Sequence, residues 1–263
     1  MTRADRRGNE SRGLTRSAVQ ERLGDQLLVW IDPRAIEHYV WKNVSVLGRA
    51  DGRLRRAPTS WRRLGLALVR SLRGHTDDPS FVVPHERYRS PVPIEQVAKY
   101  RKVADLVAHR DDYVRSAWYG DLVGQLERDG KAQHKLVTMR TLDEVRTFFE
   151  GYLLPLVDSM ARTGYDPTLA PDLANGMVGA DGALHKANKA DHRFYVARIL
   201  GVERVPMRVI AVHERWAQDH DLHVDGTDLD RLVAAVRAVE RAHRPRRTAG
   251  GGDAVTLPMP GNG

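Results

Sequence analysis

Cysteine is absent from the chain, which removes disulfides, thiolate metal ligands and cysteine nucleophiles at once. A reduced, cytoplasmic compartment is the matching expectation. No apolar stretch is long enough to span a bilayer: Gln26 to Ile31 and Leu64 to Val69 are the longest, and both are far too short. The segment from Met1 to Gly24 is polar and Arg-rich, with none of the apolar character of a signal peptide. Walker A, dinucleotide and G-x-S-x-G patterns are all missing. "HRDDYV" at 109–114 mimics a kinase catalytic triplet but has Ser116 where the partner Asn belongs and no glycine-rich loop ahead of it, so it is set aside.

Lysine is also scarce. Of 42 basic residues 7 are lysine, a bias that a GC-rich genome produces by itself, so arginine abundance is not counted toward nucleic-acid binding. Placement says more than number. Residues 1–75 carry 16 Lys and Arg against 7 Asp and Glu, whereas in the rest 26 basic residues face 27 acidic ones, so the whole net charge of +8 is amino-terminal in origin.

What is present is enough to build a core: 263 residues, 41% of them hydrophobic. Residues 1–20 read as a disordered basic tail, 21–140 as a mostly helical region, 141–243 as a small α+β, mixed-sheet domain with a closing helix, and 244–263 as a second disordered tail. "DQLLVWIDP" gives a strand that stops at Pro33. Residues 59–73 give a basic amphipathic helix. Further helices follow Pro93 and end at Gly130, and a long one runs from a Thr141/Glu144 capping box past Pro155 to Gly164. A strand pair turns near 180–182, Asp191 stands where it can cap a helix ending at Gly201, and 205–212 is a covered strand. Residues 227–242 close the fold as a capped helix.

"HKANKADHRFYVARILG" places Lys186, Lys189, His192 and Arg193 at one helix start. Unpaired amides and the helix dipole make such a start an anion site, and a guanidinium adds a bidentate fork for phosphate. The same residues have plainer uses: Arg193 in a salt bridge, His192 in packing, Asp191 as a cap, Lys186 and Lys189 on a solvated hairpin edge. His213 and Glu214 end the last strand, where side chains often face a cleft. A zinc site from His213, His220 and His223 lacks a fixed ligand pattern and is not expected.

The order of a helix ending "LVDSM" plus Gly164, a strand, a D-G turn, x-H-R at a helix start and then "LGVERVPMRV" resembles the ParB/sulfiredoxin superfamily over 141–216, and "VWIDPRAIEHYV" and "SAWYGDL" extend the resemblance loosely to residue 25. The resemblance implies a ParB-like, nucleotide phosphate-binding domain whose signature loop precedes a helix. It implies ATP or CTP, with Mg²⁺, as cofactors. Arg193, Lys186, Asn188, Lys189 and His213 become the expected cofactor-binding residues, and Asp191, His192 and Asp181 the expected catalytic ones, with Asp166 a further candidate carboxylate.

Departures limit what carries over. Asp191 stands where sulfiredoxins have their cysteine, which excludes sulfinic-acid reduction. Lys189 replaces the acid of the superfamily's serine kinases, and Ala190 replaces a glycine, at a cost on the order of 1 kcal/mol if that residue has positive φ. The expected function is a nucleotide-dependent phosphotransferase or nucleoside triphosphatase acting on a small molecule. A DNA-binding partition-like module and a catalytically inactive nucleotide-binding scaffold are the alternatives. The expected partners are thus nucleotide and small molecule, with DNA and a homodimer left open.

Overall fold

The structure, a computed structural model, describes residues 15–40, 80–135, 137–169, 172–222 and 228–245. The helix expected at 59–73, residues 1–14 and residues 246–263 lie outside them. The chain is mixed α/β. Among the described residues, helices α1 (Arg16–Leu23), α2 (Ala98–Ala108), α3 (Ala117–Asp129), α4 (Leu142–Phe148), α5 (Leu154–Thr163), α6 (Asp191–Leu200), α7 (Glu214–Asp219) and α8 (Leu229–Ala242) accompany nine strands. Strands β5 (Ala132–His134) and β6 (Val137–Met139) form a separate hairpin.

The remaining strands make one sheet in the order β1 (Leu28–Ile31), β9 (Val205–His213), β7 (Ala174–Val178), β8 (Leu184–Lys186), β2 (His38–Tyr39) and β4 (Val92–Pro93), and β3 (Val82–Val83) lies along the far half of β9. β9 runs parallel to β7 and β3, and β8 parallel to β2, whereas β1 and the β7–β8 hairpin are antiparallel. Strands from both sides of residue 141 therefore share one sheet, so the two regions expected from the sequence are joined through it. β7 and β9 are covered, as their apolar sequences require.

Local chemistry explains most of the boundaries. The Thr15 hydroxyl accepts from the Ala18 amide at 3.2 Å and starts α1, so the disorder expected through residue 20 is corrected to a capped helix from Arg16. Ser116 starts α3 in the same way, and Gly130 ends it in the left-handed conformation. Thr141 Oγ1 accepts from the Glu144 amide at 3.1 Å, as the capping box requires. Pro155 cannot donate into the turn before it, and residues Phe149–Leu153 widen into a π-helical turn that absorbs the missing bond between α4 and α5. The closing helix begins at Leu229 with no side-chain cap, and Thr227 is outside the described residues.

The main core gathers Val29, Ile31, Leu184, Phe194, Tyr195, Val205, Met207 and Val209 with the inner faces of α2 to α6 and α8. A second, smaller cluster of Val40, Val83, Met177, Ala187 and Ala211 has Tyr88 and Ile210 packed on it. Period-two alternation along β8 sends Leu184 and Lys186 to one face of the sheet and His185 to the other. The two sites described below divide on that alternation.

Candidate functional site

α6 begins in an unusual way. Lys189 (φ 74°) and Ala190 (φ 46°) both occupy the left-handed region, and no side chain caps the first turn. Two successive residues there turn the chain sharply from β8 into the helix, and the alanine bears the strain foreseen for that position. Asp191 is the first helical residue rather than the cap. Its carboxylate is buried and held by two ammonium groups, Lys186 Nζ at 2.8 Å on Oδ1 and Lys99 Nζ at 2.6 Å on Oδ2.

Lys186 itself is fully enclosed. Its ammonium also donates to the carbonyls of Lys189, at 2.8 Å, and Ala187, and lies over the rings of Tyr39 and Phe194 at 5.8 and 5.6 Å. Burial pushes its pKa down to about 8, with Asp191 opposing. Burial alone would raise the Asp191 carboxyl, but Lys186 and Lys99 together hold it below the ordinary carboxylate value. Lys186 therefore faces Asp191 and the loop backbone, not solvent. Lys99 is the partly exposed member, at 40%.

His192 turns into an aromatic nest. Its ring lies 5.3 Å from Trp118 and 5.1 Å from His134, its Nδ1 is 3.5 Å from the Tyr152 hydroxyl, and its Nε2 is buried with no partner among the described residues. Burial, helped by the nearby Lys135, pushes its pKa down to about 3, and His134 is likewise pushed down to about 4. Both rings are neutral at pH 7.

Arg193 leaves the helix on another side. One guanidinium nitrogen donates to the Leu169 carbonyl at 2.9 Å, and the side chain lines a cleft of about 200 Å³ with Tyr152, Ser159, Gly164 and Asp166. Asp166 accepts from the Thr168 amide and hydroxyl at 2.8 and 2.7 Å, which holds its carboxyl below the usual range. Asn188 accepts from Asn175 at 3.4 Å, and the Lys189 side chain is exposed. The structure thus brings Lys186, Lys189 and Asp191 together and adds Lys99, which the sequence did not single out. It separates Arg193 from that group.

Asp181 and His213 meet elsewhere, at the end of the sheet where β9, β7 and β3 terminate. There they line a pocket of about 570 Å³ with His38, His85, Tyr88 and His185. The Arg215 amide donates to His213 Nδ1 at 3.0 Å, so a neutral His213 carries its proton on Nε2 and donates to His85 Nδ1 at 3.3 Å. Tyr88 Oη lies 3.0 Å from His185 Nδ1. Burial pushes His185 down to about 4 and lowers His213 as well. Asp181 accepts from the Ala183 amide at 3.0 Å. At Gly179 a β-carbon would sit 2.8 Å from His185 Cε1 and 2.9 Å from Asp181 Oδ1, so glycine is what lets the turn close beneath both.

No protein family, curated protein or solved structure matches this chain. Among the described residues no group of three or more His, Asp or Glu side chains is arranged to hold a metal ion, and no helix is long and apolar enough to cross a membrane.

Proposed function

We propose that the start of α6 binds the phosphate of a nucleotide, ATP or CTP, in the manner implied by the resemblance to the ParB/sulfiredoxin superfamily. One observation carries this reading: two ammonium groups converge on the single carboxylate of Asp191, leaving a surplus positive charge directly beside an uncapped helix amino terminus. A buried or half-buried surplus of this kind is costly without a counter-anion. Lys99 reaches solvent and the Lys189 side chain is exposed, so an incoming phosphate meets ammonium groups and free amides together.

Phosphoryl transfer to a small molecule, or hydrolysis of the nucleotide, is the enzymatic form of this reading. Asp191 and His192 are both enclosed, the first by lysines and the second by aromatic rings. That enclosure favours as the second reading a scaffold that binds nucleotide without turning it over.

Isothermal titration of the full chain with ATP, ADP and CTP, with and without Mg²⁺, tests the binding. Saturable binding that weakens with added salt is expected, and no binding at millimolar nucleotide removes the proposal. Phosphate release from the bound nucleotide then separates the enzyme from the scaffold.

A further inference from the structure

The histidine pocket on the opposite face of the sheet is independent of the phosphate reading, and its charge is opposite. The chain carries 42 Lys and Arg against 34 Asp and Glu. Yet among the described residues none that lines this pocket is Lys or Arg, while Glu37 and Asp181 both do. A third carboxylate, Glu214, accepts from the His85 amide at 2.8 Å; Arg87, Arg89 and Lys186 adjoin lining residues along the chain but are not among the residues that line the pocket.

Two of the histidines are tied into a chain of bonds. With His213 protonated on Nε2, the chain of bonds from the Arg215 amide through His213 to His85 uses the His213 Nδ1 and His85 Nδ1 lone pairs as acceptors. His185, 7% exposed, is more than nine-tenths buried yet lines the cavity, and no bond of its Nε2 is seen among the described residues. The Tyr88 ring, 4.9 Å from His213 and 6.2 Å from His185, and Pro91 give the pocket aromatic and apolar wall. Its volume of about 570 Å³ suits a small metabolite.

We propose that this pocket is a ligand site for a small organic ammonium ion, its charge set against Asp181 and Glu37 and its carbon skeleton against Tyr88 and Pro91. Carboxylates, imidazole acceptor nitrogens and an aromatic face together favour a cation with an apolar body and reject an anion of the same shape.

Three isosteric probes test it on the full chain: benzylamine, benzyl alcohol and benzoate, followed by calorimetry and by the ring resonances of the histidines. Benzylamine is expected to saturate at millimolar concentration or below, to shift the rings of His85, His185 and His213, and to bind at least about tenfold more tightly than the other two. Asp181→Asn keeps an acceptor for the Ala183 amide and is expected to weaken benzylamine about tenfold with thermal unfolding unchanged; Glu37→Gln is expected to do so less strongly. Benzoate binding as well as benzylamine, indifference to both substitutions, or no saturable binding of the amine overturns the proposal. So does stoichiometric Zn²⁺ binding that shifts the same rings and excludes benzylamine, which would make the pocket a metal site.

Discussion

His185 and Lys186 are neighbours in the chain and belong to different chemistries. His185 looks onto a pocket walled by carboxylates and imidazoles, whereas Lys186 is sealed on the other face beneath α6, where two ammonium groups share one carboxylate. A one-residue step in a strand reverses the face, and with it the sign of charge that each side can accept. Clustering of basic residues along a sequence is therefore a poor guide to where positive charge accumulates in space. The positive site is completed by Lys99 from α2, nearly a hundred residues away, and the acidic pocket is assembled from four separate segments.

The sharpest way to break this contrast is to remove Asp191. Asp191→Ala leaves Lys186 buried without a counter-charge and is expected to cost about 3–5 kcal/mol in denaturant unfolding, whereas replacing both partners, Lys186→Met with Asp191→Leu, recovers most of it. A loss under about 1 kcal/mol for the single variant would mean that the pair is not what holds the α6 start.

Acid separates the two faces next. His192, His134 and His185 are pushed down to about 3, 4 and 4 from an ordinary value near 6.5. The unfolded chain takes up protons first as pH falls, so stability is fully present above about pH 6.5 and is lost progressively as pH drops toward 4 and below. Denaturant midpoints measured between pH 7 and pH 4 are expected to fall, and His192→Phe to flatten that slope. A midpoint independent of pH would contradict the neutral burial of these rings.

Smaller effects follow at the helix start. Lys99→Ala is expected to weaken nucleotide binding about tenfold or more and to reduce its salt dependence, while leaving benzylamine binding intact. Ala190→Gly relieves a left-handed alanine and is expected to raise stability by at most about 1 kcal/mol, read as a small upward shift in the unfolding midpoint.

Much of the frame was legible in the sequence. The cap at Thr141, the stops at Gly130 and Gly201, the hairpin near Gly182 and the covered strand through Val209 all follow from local chemistry. The candidate sites were legible only in part. Lys186, Lys189 and Asp191 do gather where one helix begins, but period two and period 3.6 decide which side chains then meet, and two residues of helical turn carry Arg193 away from Asp191 to the α5 side. Lys99 carried no local signal, because its partner lies across the fold on α6. His38, His85 and His185 were missed for the same reason: each is an isolated histidine until β2, the segment after β3 and β8 bring them to one rim. Asp181 and His213, grouped with the helix start in the sequence, belong to that rim instead.

The phosphate claim is tested most directly at the amides themselves. Backbone amide resonances of Asp191, His192 and Arg193, followed while inorganic phosphate and then CTP or ATP are added, are expected to shift together and saturably, and to stop responding in Lys99→Ala. Amides that stay still while nucleotide binds, or a wild-type chain that binds none, would contradict the account.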